Sequence, residues 1–135
     1  MGIAYKKTKG YYTDEDKTIE TGIIPEIEVD TEFLKLDLAG KLYIRRYYNW
    51  DGLSCSPDFK TGLYGSLVHD CFYQMFRCSL LDMKYRKAAD KLFRALCLKS
   101  GMSNWLAYSC YRAVRTFGKK AAKPRPIKDK RKVAP

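Results

Sequence analysis

Histidine is all but missing from this chain: His69 is the single one in 135 residues. No Cys-x-x-Cys pair occurs either, so a Cys/His zinc site of ordinary spacing is excluded. Five cysteines, at 55, 71, 78, 97 and 110, cannot all pair within one chain. Cys71, Cys97 and Cys110 fall in apolar helical patterns and read as buried, reduced thiols. No apolar run approaches the ~18 residues of a membrane span. The start, "MGIAYKKTKGYY", lacks the apolar stretch of a signal peptide, and Gly2 lacks the Ser or Thr of a myristoylation signal. There is no phosphate-binding glycine loop and no dinucleotide fingerprint. "GSL" at Gly65–Leu67 is not the G-x-S-x-G elbow of a serine hydrolase.

What is present is positive charge, unevenly spread. Residues 1–32 carry a net of −4, residues 33–118 a net of +8 and residues 119–135 a net of +7, which together make the formal +11. A cationic body and tail call for an anionic partner: nucleic acid, an anionic membrane surface or an acidic protein. Apolar residues make up 46% and aromatics 14%, enough for one real core in one domain.

Along the chain, residues 1–17 read as a polar N-terminal segment. Residues 18–118 read as one α+β domain, with a small antiparallel β-hairpin or sheet followed by three α-helices. "EIEVDTEF" alternates, which points Ile27, Val29 and Phe33 to one side. A turn is expected near Ala39–Lys41, around Gly40. Asp51 to Gly62, "DGLSCSPDFKTG", is loop chemistry. Helices are predicted over Leu63–Cys78, Lys84–Leu98 and from an N-cap at Ser103 to a C′ glycine at Gly118. The third should bury Leu106, Cys110, Ala113, Val114 and Phe117. Residues 119–135, with three prolines and no apolar period, read as a basic tail. Its cations are Lys119, Lys120, Lys123, Arg125, Lys128, Lys130, Arg131 and Lys132, an anion-binding set.

The first two helices should form an antiparallel hairpin turning near Ser79–Asp82. His69 and Asp90 each lie about ten residues from that turn, so at ~1.5 Å rise they come level. An imidazole held by a carboxylate, here expected at Nδ1, is the core of a general-base dyad. Asp70 lies ~100° around the helix, facing the loop that holds Asp51. Two carboxylates with loop carbonyls suit a hard cation. Each residue also has a plain reading. His69 could be a core histidine. Asp90 could belong to an i, i+4 ladder with Arg86 and Arg94. Asp51 could bond its own turn, and Tyr47, Tyr48 and Trp50 could be a packed strand face. The tail could simply be a solubilising end.

"DGLSCSPD" followed by "HDCFY" resembles the small bacterial and fungal phospholipases A2, which carry a DGCS-like loop, an HDxxY helix and a second acid on the next helix. The chain is also similar to a family common in tailed-phage genomes, through "DGLSCSP", "HD", "RKAADKLF" (Arg86–Phe93) and "YRAVRTFG" (Tyr111–Gly118). The first resemblance covers about 51–93, the second roughly 40–118. The phospholipase resemblance implies that His69 deprotonates water, Asp90 holds its tautomer and Tyr73 hydrogen-bonds behind them. It implies calcium on Asp70, helped by Asp51, polarising the ester carbonyl. The sequence departs from that pattern at Ser66, where secreted members have a bridged cysteine. The phage resemblance implies production in the host cytoplasm, incorporation into a virion and neighbouring particle proteins. On that scaffold a non-catalytic tail or head-tail component is the alternative, and a basic nucleic-acid-binding accessory protein is the third.

Overall fold

The computed structural model describes residues 5–8, 10–50 and 60–124. Among these residues seven short strands precede three α-helices, so the fold is α+β. Strands β1 (Tyr5–Thr8), β2 (Gly10–Thr13) and β7 (Asn49–Trp50) form one antiparallel sheet in the order β1-β2-β7. Strands β3 (Lys17–Glu20), β4 (Val29–Asp30), β5 (Leu34–Leu36) and β6 (Lys41–Ile44) form a second, in the order β3-β6-β5-β4. The polar first seventeen residues thus include strands, which their lysines and tyrosines obscured as a pattern.

The expected turn at Gly40 is there. Asp37 Oδ1 accepts from the N–H groups of Ala39 and Lys41, both at 2.9 Å. Gly40 sits at φ +85°, which a side chain rarely tolerates. Ile27 departs from its expectation: it is 79% exposed, whereas Val29 is buried. Alternation holds only where a strand is paired, and pairing starts at Val29.

Helix α1 (Lys60–Arg77) is central, as its apolar circumference implies. Leu67, Val68, Phe72, Met75 and Phe76 pack with Leu34, Leu36, Leu42 and Ile44 of the second sheet in one core. Asp82 caps a single 3₁₀ turn (Met83–Tyr85), accepting from Lys84 N–H, and α2 (Arg86–Lys99) follows at once. Ser103 caps α3 (Asn104–Ala122) by accepting from Leu106 N–H at 3.2 Å, the role expected of it.

Two expectations for α3 are corrected. Gly118 does not end the helix; α3 runs to Ala122, so Lys119 and Lys120 lie on its last turn rather than in an unpacked tail. Phe117 is 77% exposed rather than buried. The guanidinium of Arg86, the first residue of α2, donates to the carbonyls of Val114 and Arg115, both at 2.9 Å. The antiparallel partner therefore stops level with Val114 and Arg115, and Phe117 lies beyond it. Cys71, Cys78 and Cys97 are free thiols, but Cys110 is disulfide-bonded, which corrects its reading as reduced.

Candidate active site

Sequence spacing placed His69 and Asp90 at one level, and the structure joins them: His69 Nε2 and Asp90 Oδ1 are 2.7 Å apart. The bond uses Nε2, not the expected Nδ1. An ionised carboxylate only accepts, so Nε2 carries the proton and a neutral imidazole keeps its lone pair on Nδ1. The ring is sandwiched by packing. Tyr73 lies 4.1 Å away and Phe93 4.9 Å away, centroid to centroid. The His69 side chain stays 13% exposed, and that of Asp90 is fully buried.

A buried carboxylate needs donors. Asp90 Oδ1 also accepts from the Tyr73 hydroxyl at 2.8 Å, and Oδ2 from Arg115 Nη1 at 2.8 Å. Arg86 Nε donates to Tyr73 Oη at 3.1 Å and stands 3.9 Å from Asp90 Oδ2. Burial pushes the Asp90 carboxyl up, but the bonds from His69, Tyr73 and Arg115 override it and hold the group below its ordinary range. Tyr73 shifts upward, through burial and then through its bond to Asp90. Of the proposed Arg86–Asp90–Arg94 ladder, only the Arg86 leg is present. Arg94 lies over Tyr108 and Tyr111 instead.

Tyr73 can meet α3 because Gly118 has no side chain. A Cβ there would lie 2.5 Å from Tyr73 Oη. That is the physical reason for a glycine inside α3, where its entropy costs about 1 kcal/mol relative to alanine.

Asp70 faces the other way, as the 100° step requires. Its Oδ2 accepts from the Tyr48 hydroxyl at 2.6 Å. Burial, then the Asp70 carboxylate, push the Tyr48 phenol well above its ordinary value. One residue pair further along, Trp50 Nε1 donates to Ser66 Oγ at 3.1 Å. Tyr48, just before β7, and Trp50, within it, are therefore packed core residues, while Tyr47 is 55% exposed at φ +74°. Asp51 lies outside the described residues, as do Arg125, Lys128, Lys130, Arg131 and Lys132 of the tail. Among the described residues no three His, Cys, Asp or Glu side chains group to hold a metal. Asp70 supplies a hard oxygen donor of the right type, with its expected partner beyond the described segment.

Lys119, Lys120 and Lys123 are exposed at the end of α3. A groove of about 410 Å³ bounded by Ile27, Leu80, Met83, Tyr85 and Pro124 includes none of the His69 network in its walls. Sequence reasoning missed Arg115 and the part played by Arg86. Both lie in the motifs "YRAVRTFG" and "RKAADKLF", but a partner supplied by a neighbouring helix leaves no local pattern. Comparison with family models, curated proteins and solved structures gives no match to this chain.

Proposed function

We propose that the chain is a phospholipase A2-like hydrolase of lipid esters, probed at an anionic surface that its tail contacts. The single observation that carries this reading is the 2.7 Å bond from His69 Nε2 to Asp90. It fixes the tautomer in which Nδ1 is a base. In the reaction, Nδ1 takes a proton from water as the water oxygen bonds to the ester carbonyl carbon. Collapse of the tetrahedral adduct breaks the bond to the alkoxide, which receives that proton from the imidazolium. The products are a fatty acid and an alcohol. Asp90 keeps the ring oriented and stabilises the imidazolium, and Tyr73 and Arg115 hold Asp90 in place. Calcium held by Asp70 and Asp51 would polarise the carbonyl as a Lewis acid.

The test is release of fatty acid from mixed phosphatidylcholine–phosphatidylglycerol vesicles, with calcium and with chelator, beside His69→Ala. Calcium-dependent release abolished by the substitution supports the reading. Absence of release in the presence of calcium, from a folded protein that binds no calcium, overturns it.

A second reading, a non-catalytic tailed-phage virion component, draws on a different observation. Asp90 takes donors from α1 and α3 and has Arg86 beside it on its own helix, so the network also ties three helices together. Mass spectrometry of purified particles would find the chain at fixed stoichiometry in that case.

A further inference from the structure

The stretch 83–124 carries eleven lysines and arginines and a single acid, Asp90. That acid is fully buried and spent on His69, Tyr73 and Arg115. The outer surface of α2 and α3 therefore presents no carboxylate to its own cations.

Aromatic rings are set among those cations. Trp105 is 76% exposed and Tyr108 44% exposed. Arg94 from α2 lies 5.2 Å over the Tyr108 ring, and Arg112 lies 6.0 Å from the same centroid. Arg112 Nη1 also donates to Tyr108 Oη at 3.2 Å. Arg94 Nε is buried with no hydrogen-bond partner among the described residues, so its guanidinium is held by rings rather than by an acid. At 100° per residue, Trp105, Tyr108, Arg112 and Lys119 fall on one stripe of α3 about 21 Å long. Rings and guanidinium planes at the surface, flanked by free cations, are what successive bases and phosphates require.

We infer that this stripe of α3, with Arg94 from α2, binds single-stranded nucleic acid, Trp105 stacking on a base and Arg112 and Lys119 meeting phosphates. The same charge would attract an anionic bilayer, but the composition of the stripe favours bases. It offers no aliphatic side chain to insert, and Ser103, Asn104 and Ser109 around Trp105 are polar. Phe117, the other exposed ring of α3 besides Tyr108, points ~120° away from Trp105. This inference is independent of hydrolysis and needs neither His69 nor calcium.

The chain has two tryptophans, and Trp50 is buried at 2% exposure, so stacking on Trp105 has its own optical signal. Titrating the full chain with oligodeoxythymidylate should quench the exposed indole. Affinity should fall linearly in log–log form with added salt. Trp105→Ala, which removes the indole signal and is followed by the anisotropy of a labelled oligonucleotide, should weaken binding about tenfold, the size of one lost base stack. Arg112→Gln with Lys119→Gln should weaken it and flatten the salt slope. Glutamine at Lys128, Lys130, Arg131 and Lys132 should leave the quench in place, which separates the stripe from the tail. Trp105, Arg112 and Lys119 are exposed, and circular dichroism checks that the fold survives in each variant. Unchanged oligonucleotide affinity in Trp105→Ala and in the Arg112/Lys119 variant would overturn the inference. So would phosphatidylglycerol vesicles that blue-shift Trp105 when the oligonucleotide leaves it unquenched.

Discussion

Arg115 and Asp90 are joined at 2.8 Å across two helices, and the carboxylate they share with His69 is fully buried. Removing the acid strands a guanidinium and an imidazole in a mostly dry site. Asp90→Asn should therefore cost about 3–5 kcal/mol, the range for breaking a buried pair. Urea unfolding checks it; a loss under 1 kcal/mol would mean that the network is only loosely made.

Acid should act through the same group. Asp90 is held below the ordinary carboxylate value of 3.8. A lowered folded-state value stabilises the fold while the group is ionised, so this share is intact above that pH and lost as pH falls through the folded value. Wild type should lose stability steeply below about pH 4. Asp90→Asn should show a shallower acid slope in the same titration of urea midpoints. Parallel slopes would contradict the assignment.

Gly118→Ala sets helix propensity against packing. Alanine gains about 1 kcal/mol within a helix. Its Cβ, however, meets a Tyr73 hydroxyl that Asp90 and Arg86 hold in place, so the ring cannot swing aside cheaply. Overpacking of this kind costs about 1–3 kcal/mol. We expect a net fall in melting temperature of a few degrees. A rise would show that Tyr73 moves freely.

Thiol chemistry gives a fourth check. Burial pushes the Cys97 thiol up to about 12 and raises Cys71 well above its ordinary value. Cys78 is free and partly exposed. Brief alkylation of the native protein at pH 8, followed by peptide mapping, should label Cys78 well before Cys71 or Cys97. Equal labelling of the three would place the two buried cysteines at the surface.

The helical half was readable because its signals are local. The stripe of α2, the Ser103 cap and the equal distances of His69 and Asp90 from their turn are all set by spacing within two neighbouring elements. Arg115 was not readable, because its role depends on where α3 packs against α2. Gly118 was misread for the same reason: a glycine in a periodic segment reads as a stop, and here it marks a close crossing. Phe117 follows the apolar period faithfully, yet the partner helix begins too late to cover it. In the sheets, strands of two to four residues leave too few side chains to establish a period, and Ile27 shows the result.

The dipeptide His69–Asp70 divides its loyalties. His69 is fastened to the helices and Asp70, through Tyr48, to the segment that leads into β7. Any ion or ligand that claims Asp70 must bargain with a phenol whose proton is hard to remove. Such competition would be transmitted one peptide bond along to the imidazole, so that the two halves of the molecule report on each other through adjacent residues.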